Sequence, residues 1–459
     1  MIKFFIFKHE KIMTMKKIVA SFNFLAFLII INSCSSYKDS GELTGVPGRP
    51  KFYEPDPYGM VFIPQGSFTM GNSDQDVAWA QSTFSKVVTV DPFWMDETEI
   101  TNNEYRQFVF WVRDSIMRRM LGEQLEEFLI TEDAFGNPID PPRINWDVKI
   151  DFRDEEVNEI LSNLYLPEKE RFFGKKEIDT RKLMYEYYWI DYKQAASKSN
   201  RYNFDKKQYE GYVINNLGEK IEIKDRSAFV LRDVVNVYPD TLCWIADFTY
   251  SFNEPYTINY FWHPAYDNYP VVGVSWKQAT AFCIWRTQYL NTALRKKGHP
   301  GVHDYRLPTE TEWEYAARGG LEHSMYPWGG YYARNKEGCL LANFKPMRGR
   351  YADDGGVTTL PVGSYQPNEY GLYDMAGNVA EWTSSAYDES AYIFMHDLNP
   401  DYKYNAKPND PPVMKRKVIR GGSWKDIAYF LQCGTRAYEY QDSAKSYIGF
   451  RCVRSYLGS

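Results

Sequence analysis

A chain of 459 residues has the length for two or three domains. Its formal charge of −6 and pI near 5.7, with no basic block, argue against nucleic acid as a partner. Aromatic residues make up 17 % of it, with 37 Tyr and 13 Trp, enough to fill a core that has little regular structure to organise it.

Met15-Lys-Lys17 reads as the start of a secretion signal, with residues 1–14 as an upstream extension. Ile18 to Ile31 is apolar but interrupted by Ser21 and Asn23, and is shorter than the ~20 residues that a bilayer span needs. It ends in Ile31-Asn-Ser-Cys34, which resembles a lipobox: an aliphatic residue, two small or polar ones, then cysteine. In such signals the cysteine is acylated and becomes the mature N-terminus. The alternative is an ordinary signal peptide followed by a chance Cys. Residues 1–34 are thus expected to be a signal with Cys34 as the lipidation site. Several acyl chains, at ~0.8 kcal/mol per buried methylene, would hold the protein at a membrane. Ser35 stands where some bacteria use aspartate for inner-membrane retention, which points towards the outer membrane. Residues 35–58 carry repeated Gly and Pro and read as a tether reaching roughly 70 Å if extended.

The folded region is expected over 59–456. Met60 to Gly71 is strand-like around Gly66. Thr101 with Glu104, Ser275 with Gln278 and Thr309 with Glu312 are capping boxes, each ahead of apolar residues at helical spacing. Three short helices follow, with Tyr105, Phe108, Val109 and Val112, then Ala279, Phe282 and Cys283, then Trp313, Ala316 and Ala317 as buried faces. Between about 114 and 262 charged runs alternate with aromatics, as in Tyr185-Glu-Tyr-Tyr-Trp189, and Tyr212 to Ile223 reads as a hairpin closed near Gly218. That span is either solvated surface or an ordered docking surface. The second reading is preferred because it keeps its aromatics and hairpin.

One stretch organises the C-terminal half: Gly371-Leu-Tyr-Asp-Met-Ala-Gly-Asn-Val-Ala-Glu-Trp-Thr383. Gly371 and Gly377 permit unusual backbone angles, Asp374, Asn378 and Glu381 supply oxygens, and Leu372, Met375, Val379 and Trp382 supply anchors. Such a loop either holds a hard cation through about 6–8 oxygens or is a buried hydrogen-bonded turn without an ion. No nucleophile–base spacing stands out among Ser423, His263, His299, His303 and His323, so no catalytic set is expected. No Cys-x-x-Cys or Cys/His cluster suggests zinc.

Taken in order, Met60–Gly71, Pro270–Trp276, Tyr305–Gly320, Tyr326–Gly329, Gly371–Thr383, Arg420-Gly-Gly-Ser-Trp424 and Ile448-Gly-Phe-Arg451 closely resemble the formylglycine-generating-enzyme (sulfatase-modifying factor) domain. The resemblance implies an α+β fold, distantly C-type-lectin-like, with much irregular loop structure and a large insert at about 114–262. The enzymes bind Cu(I) through a Cys-x-x-x-x-Cys pair shortly after the Arg-Gly-Gly-Ser motif. Here Asp426 stands at the first position and Leu431 or Ala428 at the second, and Cys433 alone cannot make a two-thiolate site. Carboxylates do not suit that soft ion, so no copper and no oxidase chemistry are expected. The resemblance implies calcium at Asn343, Phe344, Asp354 and Gly356, and again at Asp374, Gly377, Val379 and Glu381. It also implies a disulfide between Cys283 and Cys452, worth roughly 4–5 kcal/mol in the chain-entropy model.

The lipobox, the missing thiols, the insert and the segments Asp240–Tyr250 and Asn253–Tyr256, running into Asn259–Tyr266, together resemble a narrower family, the lipoproteins of gliding motility and type IX secretion (the GldK/PorK type). This implies an outer-membrane lipoprotein facing the periplasm and self-associating into a ring. The ring would include a periplasmic partner (the GldN/PorN type) and contact other outer-membrane secretion components. Two other readings stay open: an oxidase with unrecognised copper ligands, and a lectin-like ligand-binding module.

Overall fold

The computed structural model describes residues 54–71, 85–133, 135–247 and 254–458. The expected signal, Cys34 and the tether as far as residue 53 lie outside the described residues. The end of the expected tether does not behave as one. Glu54 has a side chain that is 0 % exposed, bound to Arg454 Nη2 at 2.7 Å and accepting the Leu457 N–H at 3.0 Å. The buried guanidinium needs a carboxylate, and Glu54 supplies it.

Four strands open the fold: β1 (Met60–Ile63), β2 (Gly66–Met70), β3 (Lys86–Val90) and β4 (Phe93–Asp96). A Cβ on Gly66 would lie 2.4 Å from the Tyr315 hydroxyl, so that position excludes a side chain. Helix α1 (Asn102–Gly122) starts at a complete capping box, with Thr101 N–H donating to Glu104 Oε2 at 2.8 Å. It is 21 residues long rather than short. Its apolar stripe continues through Met117 and Leu121, which pack on Phe128, Leu161 and Leu164. Helix α2 (Trp276–Lys296) has the Ser275–Gln278 box and is equally long, and α3 (Glu310–Arg318) has the Thr309–Glu312 box.

Between α1 and α2 lie a long antiparallel ribbon and a small hairpin. The ribbon pairs β5 (Met184–Ile190) with β8 (Val230–Asn236), and the hairpin pairs β6 (Tyr212–Ile214) with β7 (Lys220–Glu222). Gly218 closes the hairpin at φ 88°. Val213 and Ile223 bury their side chains against Phe229 and Leu231, which fixes the hairpin to the ribbon. The ribbon's inner face reaches the main core. Tyr185 and Tyr187 join Tyr105, Phe108, Phe282 and Phe450, and the Tyr105 hydroxyl donates to Val237 O at 3.0 Å. Each such side chain, fully buried, stabilises by roughly 1.5–3 kcal/mol before entropy is subtracted.

After α2 come β9 (Tyr305–Arg306), β10 (Ala380–Ala386), β11 (Arg416–Arg420), β12 (Ala437–Tyr440), β13 (Ile448–Gly449) and β14 (Val453–Ser455). One four-stranded sheet has the order β1-β4-β14-β9 and is antiparallel throughout. The other runs β12-β11-β10-β13, with only β10 and β13 parallel. Among the described residues no helix is long and apolar enough to cross a membrane.

Candidate functional site

The stretch 371–383 enters the core as a loop and leaves it as β10. Asp374 and Asn378 adopt positive φ of 54° and 60°, tolerable for short polar side chains that bond locally. Gly377 has φ 83°, and a Cβ there would meet Asn343 O at 2.4 Å. That close approach lets Asn378 N–H donate to Asn343 O at 2.8 Å. The Asn378 amide then ties three segments together. Its Oδ1 accepts from Leu360 N–H and Asn343 Nδ2, and its Nδ2 donates to Glu99 Oε1 at 3.1 Å.

The expected ligands of the second calcium site fall in one place, with one important change. Glu381 is 0 % exposed and bound by Arg451, Nη2 to Oε1 at 2.6 Å and Nε to Oε2 at 2.8 Å. Trp313 of α3 donates its indole N–H to the same carboxylate at 2.8 Å. Arg451 also donates to Asp96 O and Tyr373 O. Glu381 is therefore primarily the counter-ion of a buried guanidinium, which leaves it a weaker calcium ligand than expected.

The carboxylate without such a partner is Glu99, 1 % exposed: among the described residues no N–H donor reaches its Oε2, and its carboxyl lies within hydrogen-bonding reach of Asp374. Burial and then the charge of Asp374 push its pKa well above the usual carboxylate range. Burial likewise raises Asp374, although the Gly363 N–H donates to its Oδ2 at 2.6 Å. Three carboxylates thus face a single guanidinium. Among the described residues no three His, Cys, Asp or Glu side chains converge as a ready ligand set. A cation here would therefore depend on carbonyls and amides beside Glu99 and Asp374. An all-oxygen, buried and net negative donor set with an orphaned carboxylate oxygen fits a hard ion such as calcium. Sequence reasoning missed Glu99. Its signal was an acid beside Met95 and Ile100, just ahead of the first capping box.

The residues expected for the first calcium site also meet. Phe344 N–H donates to Asp354 Oδ2 at 2.7 Å and Gly356 N–H to Oδ1 at 3.2 Å, while Asn343 Nδ2 donates to Thr358 O. Burial raises the Asp354 carboxyl. The amide turned onto Thr358 O leaves the Asn343 side-chain oxygen for an ion. The two candidate sites touch through Asn343.

The cleft beside Arg420-Gly-Gly-Ser-Trp424 contains no thiol among the described residues. Asp426 accepts the Ser423 hydroxyl at 2.6 Å, and Leu431 is buried among Met325, Tyr326 and Phe344. Cys433 is sealed in the core beside Trp313, where burial pushes its thiol up to about 12. Cys283 of α2 and Cys452 lie together, Sγ to Sγ at 3.4 Å, both as free buried thiols. The structure brings the expected disulfide partners into contact without the covalent bond. Arg420 anchors the turn by binding Glu314 of α3 and donating to Gly434 O and Thr435 O. His263 caps a short turn, its Nδ1 accepting the Ala265 N–H at 3.1 Å.

A family model described as the sulfatase-modifying factor enzyme 1-like domain matches residues 49–137 and 257–456. The unmatched residues 138–256 fall inside the expected insert. The formylglycine-generating enzyme of Mus musculus is 34 % identical over 198 residues, 41 % of this chain and 45 % of that protein. The inactive C-alpha-formylglycine-generating enzyme 2 of Bos taurus is 37 % identical over 191 residues, 40 % of this chain and 50 % of that protein. The chain spans about half the length of the curated relatives it matches. PvdO from Pseudomonas aeruginosa aligns over 86 % of this chain and 94 % of its own, with TM-score 0.42 and 19 % identity.

Proposed function

The chain belongs to the sulfatase-modifying factor (formylglycine-generating enzyme) family, and from that premise we propose that it is a non-catalytic member. It serves as a lipid-anchored scaffold of the gliding and type IX secretion machinery, of the GldK/PorK type. One observation carries the non-catalytic reading. Asp426 stands at the first copper position and Leu431 or Ala428 at the second, and Cys433 is sealed in the core. A buried thiol with a raised pKa does not offer the thiolate that Cu(I) requires. Relatives that carry the word inactive in their names are compatible with this.

In this reading Cys34 is acylated and the domain hangs in the periplasm from the outer membrane. It assembles into a ring with a GldN/PorN-type protein and meets other outer-membrane secretion components. Calcium stiffens the two loops joined at Asn343, no copper is bound, and export oxidises Cys283 and Cys452 to a bridge. Docking falls to the outer face of the β5–β8 ribbon, within the span that the family model leaves unmatched. Met184, Tyr188, Ile190, Val230 and Val234 are each 42–50 % exposed there, around the Glu186–Arg232 ion pair.

The test is reconstitution with Cu(I) under reducing conditions, followed by an assay for cysteine-to-formylglycine conversion in a peptide. The expected result is no stoichiometric copper and no conversion. Copper at one ion per chain with turnover would overturn the reading.

A further inference from the structure

A cavity of about 160 Å³ opens beside the Arg420–Gly422 turn, lined by Asp426, Phe430, Ala437, Tyr438 and Tyr447. It is well below the ~300 Å³ of an ordinary ligand pocket, and on the order of the 150 Å³ that accommodates a benzene-sized molecule. Two charged groups line it, Asp426 and Arg420, and the guanidinium is bound to Glu314 behind the turn. Asp426 is the only acid in the lining, and its one side-chain hydrogen bond comes from the Ser423 hydroxyl at 2.6 Å.

The neighbouring cations are engaged elsewhere. Lys425 pairs with Asp247 at 2.7 Å and lies 4.6 Å from the Tyr447 ring centre. Arg420 is bound to Glu314, and Arg416 lies 4.2 Å over the Tyr438 ring. Among the described residues no Lys, Arg or His forms an ion pair with Asp426. Tyr438 and Tyr447 already attract cations, as aromatic faces do. A carboxylate in no direct ion pair, walled by aromatic rings, favours a positive guest over a neutral or anionic one.

We propose that this cavity binds an ammonium or guanidinium head group, with Asp426 as its counter-ion and Tyr438 and Tyr447 as its walls. The guest is either a free small amine or the end of a Lys or Arg side chain from another protein. The inference does not depend on the scaffold reading, because a non-catalytic cleft can still bind.

The test uses ligand-observed NMR titration of the purified exported chain. The probes are butylammonium and methylguanidinium, with butanol as the uncharged counterpart and a blocked Arg-containing tripeptide. The cationic probes should bind saturably and butanol should not. Asp426→Asn should weaken cation binding at least tenfold. Ala437→Leu, which fills the cavity without touching the charge, should weaken it comparably, and it decides the matter if Asp426→Asn does not fold. A peptide that binds more tightly than the free probes assigns the guest to a protein side chain, and equal binding assigns it to a free amine. Binding of butanol as strong as that of butylammonium, unchanged binding in either folded variant, or no binding of any cationic probe would overturn the proposal.

Discussion

Glu99→Gln separates a cation site from a merely buried turn, because only in the first does the effect of the substitution depend on calcium. Glutamine keeps the acceptor for Asn378 Nδ2 and removes the titratable group from among the three carboxyls facing Arg451. In the chelated protein the folded-state pKa of Glu99 is raised, by burial and then by Asp374. The folded state therefore holds a proton that the unfolded chain has released. Stability then falls as pH rises from the unfolded carboxylate range, near 4.3, towards the raised folded value. Glu99→Gln abolishes its share of that fall. It should stabilise the chelated protein at neutral pH by on the order of 1–3 kcal/mol, the cost of an unsatisfied buried group. With calcium the difference shifts towards the wild type. Ion at a hundredfold over its Kd adds about 2.7 kcal/mol to the wild type, and the variant loses that gain. For a domain of this size 1 kcal/mol moves Tm by about 1–2 °C, so calcium should raise the wild-type Tm by about 3–5 °C and the variant's by much less. Differential scanning calorimetry in EGTA and in millimolar calcium, at pH 5 and pH 7.5, measures all four states. A variant whose Tm differs from that of wild type by the same amount in EGTA and in calcium would refute the reasoning.

Glu381→Ala should destabilise by roughly 3–5 kcal/mol in EGTA and in calcium alike, since it strands the buried Arg451 guanidinium; a denaturant titration under both conditions reads this. Cys34→Ala should leave Tm unchanged and move the protein from the membrane to the soluble fraction on fractionation. Peptide mapping of non-reduced exported protein should find Cys283 linked to Cys452, and Cys283→Ser should lower the denaturant midpoint.

The sequence made local structure legible and left long-range pairing hidden. Each capping box names its own helix start, because donor and acceptor lie three residues apart; all three formed as expected. Helix length was harder to read, since Met117 and Leu121 find their partners only when Phe128 and Leu161 fold back. The loop 371–383 was recognisable from its glycines and oxygens. What its acids do was not, because Arg451 and Glu99 reach it from far along the chain. The same limit hid Glu54, which composition places in a tether and Arg454 draws into the fold. The ribbon's outer face was invisible for a different reason. Alternation in Met184–Ile190 shows that one face is buried, but only the structure shows that the apolar residues of the other stay about half exposed.

The central claim, that a family fold without its thiols works by docking at the ribbon, is tested most directly by affinity purification from detergent-solubilised membranes. The tagged wild type is compared with a Tyr188→Asp, Val234→Asp double variant and with Asp426→Ala, with mass spectrometry and negative-stain imaging as readouts. The account predicts rings containing a second periplasmic protein for wild type and Asp426→Ala, and only dispersed chains for the folded ribbon variant. Rings that persist in the ribbon variant and vanish in Asp426→Ala would contradict it.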